Sequence, residues 1–358
     1  MQLTPVGSVC DLTPTQPQIR CLSLPEAAIN LPDLARVLVV VPCLNEERSL
    51  PSLLNQLISD SASALIVVAD GGSTDRSRAI VADFAERHHR IHLINNPKQL
   101  QSAGVNAAVT AFAKDHLWLV RVDAHCSYPD RYVQRLLDAA RHHGADTVVV
   151  PMVTQGTTCF QTAAAAAQNS VLGTGGSAHR HVGKGRFVDH GHHALFRLES
   201  FRRVGGYDES FSHNEDAELD QRLLANACKI WLEPDAALVY APRSAPGPLL
   251  RQYFNYGMGR ARTVRKHGLR LKLRQSAPLL IAPAIIMALA GMVGMFANPL
   301  WLVLAIPALA WFGLCQAFGL VIAARAGSLC SVFSGTAAAI MHAGWSFGYW
   351  RNVLKPAA

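Results

Sequence analysis

The stretch that decides the fold is Arg36-Val-Leu-Val-Val-Val-Pro42, followed at once by Cys43-Leu-Asn-Glu-Glu47. A continuous apolar, largely β-branched run has both faces of a strand to bury, as in a parallel sheet covered by helices on each side. The next segment reads as a helix. Ser49 is placed to cap it, and its Leu50, Leu53, Leu54, Leu57 and Ile58 recur at i, i+3, i+4, i+7 and i+8. The unit then repeats. Residues 64–69 read as a second buried strand and 70–75 as a polar, glycine-rich loop, before a helix carrying Ile80, Val81 and Phe84. A third strand is expected at 91–94, a helix at 103–114, and a fourth strand at 117–122 running into Asp123. The helix over 129–143 buries Tyr132, Val133, Leu136 and Leu137, and 147–150 is a strand again. Such alternation specifies an α/β fold, an open and mostly parallel sheet with helices on both faces. Ligands bind these sheets beyond the carboxyl ends of the strands. Asn45 and Glu46, Asp70 and Asp123 all fall at those ends.

Further along, residues 156–185 are rich in Ala, Gly, Ser and Thr and are expected to form a loop with one short helix. Order resumes at 192–197, with a short helix from 216 towards 226 and strand-like stretches at 230–232 and 237–240. Residues 248–267 read as an amphipathic helix on a membrane surface, with Leu249, Leu250, Tyr253 and Phe254 opposite its arginines. Between 276 and 324 there is no Asp, Glu, Lys or Arg. That suffices for two membrane spans of about 20 residues each, turned at Asn298-Pro299. The uncharged stretch 326–350 allows a third. The expected organisation is a flexible lead-in over 1–35, a catalytic domain over 36–247, and a basic interfacial helix over 248–275. A transmembrane region of two to three helices over 276–350 and a tail over 351–358 complete it.

Composition agrees with two unlike regions. Of 358 residues, 50% are hydrophobic and only 16% charged, which is apolar for a soluble protein. Much of the +8 formal charge is local, in Arg260, Arg262, Arg265, Lys266, Arg270, Lys272 and Arg274. A basic run abutting an apolar span suits anionic lipid headgroups. Nucleic acid is not an expected partner, because no helix-turn-helix, zinc-finger or aromatic–basic platform pattern occurs. The eight cysteines show no CxxC and no regular spacing, which fits reduced cytosolic thiols rather than a disulfide framework. The first 32 residues lack the basic start and apolar run of a signal peptide.

The 39–47 run, the Asp70-Gly-Gly-Ser-Thr-Asp75 loop and the strand ending in Asp123 together resemble the family-2 inverting glycosyltransferases and their GT-A fold, over about residues 36–267. The resemblance implies a nucleotide-sugar transferase in which Pro42, Glu46 and Asp70 line the nucleoside pocket. Asn45 and Gly71 stand beside them, and Gln101, Gly104 and Asn106 match a segment close to that pocket. A carboxylate such as Asp70 suits the N–H of a uracil ring, and glycines at 71 and 72 let the backbone come close. Where the family has a second Asp, this chain has Gly71. An ordinary turn is the other reading of this loop. Asp123-Ala-His125 stands where the family has Asp-x-Asp. Two residues apart on an extended segment, their side chains share a side, so Asp123 and His125 can meet one diphosphate-bound cation. Such a cation stabilises the charge on the departing diphosphate. An oxygen with an imidazole suits Mn2+ better than Mg2+; His125 binding the diphosphate directly is the alternative.

His213-Asn-Glu-Asp216 resembles the family's Glu-Asp pair, whose aspartate is the general base. Asp216 would take the proton of the acceptor hydroxyl as it attacks the anomeric carbon, with inversion. Acids at a helix start also complement the dipole. Asp189-His-Gly-His-His193 lacks the HExxH spacing. In the resemblance this stretch borders the acceptor site, so that His190, His192 and His193, with Glu215, meet the acceptor or diphosphate; structural histidines or a zinc site are the other readings. Gly205-Gly-Tyr-Asp208 looks like the turn before the base. Gln252-Tyr-Phe-Asn-Tyr256 departs from the Gln-x-x-Arg-Trp of processive synthases. Asn255 replaces the arginine, which weakens any grip on diphosphate or polymer. A single sugar addition is therefore expected, with Gln252 and Tyr256 still near the acceptor and a processive synthase as the alternative.

Asp-Ala-His, the histidine run, Asn-Glu-Asp and Tyr256-Gly-Met-Gly-Arg260 look like the succinoglycan-biosynthesis glucosyltransferase group. That resemblance implies β-linked transfer of glucose from UDP-glucose to a lipid-linked saccharide, carried on a polyprenyl diphosphate. It also implies an integral protein of the inner membrane with its catalytic domain in the cytoplasm. A transporter with a regulatory nucleotide-binding domain would need ionisable residues in its spans, and only His342 occurs there. A dehydrogenase would need G-x-G-x-x-G where Pro42-Cys-Leu-Asn-Glu46 stands.

Overall fold

The structure is a computed structural model that describes residues 33–61, 63–177, 180, 182–271 and 273–355, so nearly all of the expected lead-in, the end of the tail and Lys272 lie outside it. The run quoted first forms β1 (Val37–Cys43), followed by α1 (Leu50–Asp60). Then come β2 (Leu65–Asp70), α2 (Ser77–Arg87), β3 (Ile91–Asn95), α3 (Gln101–Phe112) and β4 (Trp118–Arg121). The short β5 (Cys126–Ser127), α4 (Tyr132–His143) and β6 (Thr147–Val150) succeed them. β1 lies between β2 and β4, parallel to both, with Cys43 opposite Asp70 and Val40 opposite Arg121. Its side chains alternate between two cores. Val37, Val39 and Val41 pack with Leu54 of α1, Val81 of α2 and Leu136 of α4. Leu38 and Val40 pack on the other face with Val105 and Ala108 of α3. Burial on both faces is why the run carries no polar side chain.

Residues 192–197, where order was expected to resume, form a strand that does not continue the parallel series. After β7 (Met152–Thr154), α5 (Cys159–Gln168), α6 (Val171–Thr174) and β8 (Arg186–Phe187), β9 (His192–Arg197) inserts between β4 and β6, antiparallel to both. An antiparallel strand starts at the edge where its parallel neighbours end, so the histidine run arrives beside the carboxyl ends of β4 and β6. Gly191 permits this, since Val149 occupies the space a Cβ would need. α7 (Leu198–Arg203), α8 (Glu215–Ala225), β10 (Ile230–Leu232) and β11 (Leu238–Tyr240) complete the domain. The large sheet runs β3-β2-β1-β4-β9-β6-β10-β8, and β5-β11-β7 form a small second one. The loop expected at 156–185 holds two helices, of which α5 starts with a Thr158–Gln161 capping box. Ser49 does not cap α1; its hydroxyl bonds the Glu46 carboxylate instead, at 2.8 Å.

The C-terminal part comprises α9 (Pro246–His267), α10 (Leu273–Ser276), α11 (Ile281–Gly294), α12 (Ile306–Ala326) and α13 (Ser334–Val353). The apolar side of α9, expected on lipid, is largely covered by protein: Leu249 and Tyr253 pack with Ala164 of α5 and with Ala337 and Met341 of α13. The two helices meet at glycines. A Cβ on Gly257 would overlap the Trp345 carbonyl, and one on Gly348 the Phe254 carbonyl, the small-residue contact that lets helix backbones approach closely. The basic run is partly used internally as well. Arg262 donates to Ser210 and lies 4.1 Å over the Phe211 ring, and Lys266 joins Asp208 and Glu218 at 2.7 Å each.

Two helical stretches, 277–294 and 299–326, are long and apolar enough to cross a membrane, and only 17% of the most apolar 18 residues of each is buried. Ile286, Leu289, Val293, Leu309 and Phe318 stand exposed on them. So broad an apolar surface needs lipid rather than water around it; the chain is a membrane protein. The third stretch, α13, buries Ala337, Ala338, Met341 and Tyr349 and does not meet the same length-and-composition criterion. The expectation of thiols throughout is also corrected. Cys159, opening α5, and Cys330, between α12 and α13, form a disulfide. They lie 171 residues apart, so only the fold, not any spacing, brings them together.

Candidate active site

The carboxyl ends of β1, β2 and β4 and the start of β9 open onto one cavity of about 1200 Å³. Asp123 comes just after β4. Its carboxylate accepts from the Gln101 side chain at the start of α3 and lies 3.4 Å from His192 Nε2 and 3.5 Å from Arg121 Nε. Burial pushes the Asp123 carboxyl up, but the Arg121 guanidinium and then His192 outweigh it and hold it well below the usual carboxylate range. Arg121 was not singled out from the sequence, although it sits two residues before Asp123 and strand alternation turns both to one side. It is 3% exposed. Nη1 donates to Asp216 at 2.7 Å and to the Tyr207 hydroxyl at 2.9 Å, and Nη2 donates to Asp216 at 3.2 Å. A guanidinium this buried is tolerable because Asp123 and Asp216 neutralise it.

Asn214, with left-handed backbone (φ 67°), opens α8, and Glu215 and Asp216 come next in the cavity wall. Burial raises the Asp216 carboxyl, but Arg121 and the neighbouring histidines more than reverse this, down to about 2. For Glu215, burial and then the Asp216 charge push the carboxyl up, to about 7. His190 and His192 line the cavity; His193 does not. His193 Nε2 and His190 Nδ1 both lie 2.6 Å from the fully buried Asp220. The Thr147 hydroxyl donates to the Leu195 carbonyl, so at 3.3 Å it can only accept from His193 Nδ1. His193 thus carries both ring protons and forms a buried ion pair, and its place in the acceptor set is corrected.

At the end expected to take the nucleotide, Pro42, Glu46, Gly71, Gln101, Asp123 and His125 line the cavity. His125 Nδ1 is 3.0 Å from Glu46, and that contact raises the imidazole; burial pushes the Glu46 carboxyl up, but the bonds to His125 and Ser49 outweigh it and hold the carboxyl below its ordinary value. Four residues of the expected nucleotide set face elsewhere. Asp70 is 1% exposed, its carboxylate bonded by Arg78 at 2.6 Å and by the Gly72 amide at 3.0 Å, so it shapes the 70–75 loop. The Asn45 side-chain oxygen accepts from the Thr74 amide at 2.8 Å and ties the two loops together. Gly104 packs under Asn96 and Ala69, and Asn106 holds the Tyr207 backbone and Glu209. Among the described residues no three His, Cys, Asp or Glu side chains are grouped to hold a metal ion. Asp123 and His125 both face the cavity, although residues 124–125 form a turn rather than the expected extended segment, and as two ligands they would leave a cation to be completed by phosphate oxygens and water.

Towards the C-terminal helices the wall is built by α9. Gln252 donates to the Tyr256 hydroxyl at 3.0 Å. Asn255, where a processive synthase has arginine, bonds His213 at 3.2 Å and so steadies the loop before Asp216. Gly259 admits that loop: a Cβ there would meet the His213 carbonyl and the Asn214 side chain. Of the motif Tyr256-Gly-Met-Gly-Arg260, Tyr256 and Arg260 face the cavity while the glycines seat α13 and the loop. Arg180, Arg243 and an apolar wall beyond them also line the cavity, and no motif in the sequence pointed to them.

Residues 38–205 match the family model for glycosyl transferase family 2. Over 319 residues the chain is 44% identical to the succinoglycan biosynthesis protein ExoA of Rhizobium meliloti (strain 1021), covering 88% of this chain and 94% of that one. It is 30% identical over 120 residues to the polyprenol monophosphomannose synthase of Mycolicibacterium smegmatis, covering 32% and 44% of the two chains. Among solved structures, the mannosyltransferase PcManGT of Pyrobaculum calidifontis, in complex with GDP-Man and Mn2+, shares the fold. Its TM-score is 0.54 at 21% identity, over 89% of this chain and 87% of that one.

Proposed function

Because the chain belongs to glycosyl transferase family 2 and is a glycosyltransferase, we propose that it moves a single sugar, with inversion, from a nucleotide-sugar donor to a lipid-linked saccharide in polysaccharide biosynthesis. UDP-glucose is the donor we favour. The observation that carries this reading is that Asp123 and Asp216 face one cavity, joined by one guanidinium, and that the cavity continues from the nucleotide end to the apolar helices. The name of the ExoA relative supports the pathway class, and that of the polyprenol relative supports a lipid acceptor. The two apolar helices support placement in the inner membrane, with the catalytic domain in the cytoplasm.

The proposed base is Asp216. Its Oδ1 already accepts from Arg121 at 2.7 Å and Tyr207 at 2.9 Å, whereas Oδ2 receives only the longer Arg121 bond of 3.2 Å. Oδ2 therefore keeps a lone pair for the acceptor hydroxyl, and Arg121 holds the carboxylate ionised and aimed. The oxygen freed of its proton attacks the anomeric carbon from the side opposite the diphosphate. A divalent cation, Mn2+ or Mg2+, held by Asp123 and His125 would supply positive charge to the leaving diphosphate. Asn255 in place of arginine supports one addition per acceptor rather than processive synthesis. A screen of UDP-, GDP- and dTDP-sugars with Mn2+ or Mg2+ tests the donor. Asp216→Asn should still bind the donor yet transfer at least about 100-fold more slowly; wild-type turnover by that variant would remove Asp216 as the base.

A further inference from the structure

Beyond Asp216 the wall of the cavity changes character. Pro283 and Met287 of α11, Pro307 and Trp311 of α12, and Met341 and Trp345 of α13 make its far end, and α11 and α12 belong to the stretches exposed to lipid. At the junction between this apolar end and the polar end stand arginines from separate segments. Arg180 comes from the stretch after α6, Arg243 from the stretch after β11, and Arg260 from α9. Arg260 donates to Gln275 at 3.2 Å, which sets it at the foot of the helices leading to α11.

Arg180 is the informative member. Its guanidinium donates to the Tyr240 hydroxyl at 2.7 Å and lies 5.5 Å from the centre of that ring, and no carboxylate pairs with it among the described residues. Tyr240 in turn donates to Gln168 at 2.7 Å, with Gln168 1% exposed. A neutral, buried relay thus orients the half-buried guanidinium from behind and leaves its charge facing the cavity without a carboxylate. A cation held in place in this way attracts an anion from the cavity side. The charge also acts on Tyr253 and Tyr256, so it meets the face of α9 that carries Arg260 one turn further on. Guanidinium groups suit phosphate oxygens, to which they donate in pairs.

We propose that Arg180, with Arg260 beside it and Arg243 on the catalytic side, binds the diphosphate of the lipid-linked acceptor, and that the hydrocarbon chain of this acceptor lies along the apolar wall of α11, α12 and α13. The inference rests on the lipid-linked acceptor of the proposed function and adds where each part of that molecule sits. The saccharide extends from the arginines towards Asp216, and the lipid leaves the cavity where the helices enter the bilayer. The donor diphosphate, at Asp123, is a separate site.

The test uses the full-length protein in nanodiscs, with farnesyl diphosphate, farnesol and inorganic diphosphate as probes. Farnesyl diphosphate should bind, and Arg180→Gln should weaken it at least tenfold, with Arg180→Lys, which keeps the charge but not the paired donors, weakened less than Arg180→Gln. Farnesol should bind weakly and equally to all three proteins. Nucleotide binding at the donor end reports that each variant is folded. Unchanged farnesyl diphosphate binding in folded Arg180→Gln overturns the proposal. So does inorganic diphosphate binding as tightly as farnesyl diphosphate, since the site would then take a free anion and no lipid. Sugar transfer to a free saccharide as efficient as to a lipid-linked one would sink the lipid-acceptor reading itself. Transfer confined to lipid-linked acceptors but indifferent to Arg180 would sink only this placement.

Discussion

Two neighbouring carboxylates, Glu215 and Asp216, meet the same cavity with opposite proton affinities because only Asp216 is bonded to Arg121. Burial acts on both, yet the guanidinium reverses it for one and not the other. Environments that push a pair apart commonly divide acid and base roles between them, so the raised group offers a second place for the acceptor proton. The two assignments give different pH profiles. If Glu215 takes part, it must be deprotonated, and kcat/KM should rise with pH through about 7 and level above it. Glu215→Gln would remove that limb. If Asp216 acts alone, being ionised far below neutrality, no limb appears near 7 and Glu215→Gln keeps the wild-type profile. Asp123 and Asp216 were legible in the sequence because each closes or opens an element at the sheet edge. Arg121 was not, because an apolar strand gives no reason to expect a charge within it; only the partners that neutralise it, Asp123 just after β4 and Asp216 of α8, explain its presence. Asp70 was legible as a loop residue but not in its orientation, which Arg78 and the Gly72 amide decide.

Helices and strands carry the site through a few close approaches. Gly259 lets α9 touch the His213–Asn214 loop, and Gly348 lets α13 touch α9. Gly259→Val should displace the loop and lower kcat at least tenfold while nucleotide binding stays within twofold, measured by transfer kinetics beside calorimetry. Gly348→Val acts elsewhere in the stack. Overpacking there should cost about 1–3 kcal/mol and appear as a lower thermal midpoint in detergent, with kcat per folded molecule retained. The alternation of β-branched runs and amphipathic helices up to β6 was readable because each pattern has its own period. The direction of β9 was not. A short strand reads the same either way, and only pairing with β4 and β6 fixes which end carries His192. The fate of the apolar side of α9 was hidden for a like reason, because hydrophobic spacing shows that a face is covered and not whether lipid or α13 covers it.

At the scale of the whole molecule, Cys330 lies past the second apolar helix and yet meets Cys159 of the catalytic domain. The chain is therefore back beside that domain after 299–326, whatever path the two apolar stretches take. This gives a handle on orientation. The pair is closed in the structure; in the cytoplasm, where glutathione reduces such bonds, it would open to adjacent thiols, and on an oxidising side it would stay closed. A chain retaining only these two cysteines should react with a membrane-impermeant maleimide after permeabilisation and denaturation without reductant, and not in intact cells. Labelling that demands a reductant would place the catalytic domain on the other side. The guanidinium shared between Asp123 and Asp216 has a consequence for timing. While the donor site is empty, Arg121 divides its charge between both carboxylates; a donor settled at Asp123 disturbs that division and reapportions it towards Asp216. Catalytic competence then tracks occupancy, and the kinetics should be compulsory-ordered, nucleotide sugar entering before saccharide. Released nucleoside diphosphate would compete with the sugar nucleotide and show mixed inhibition against the second substrate, whereas a random-order pattern would mean the two carboxylates operate independently.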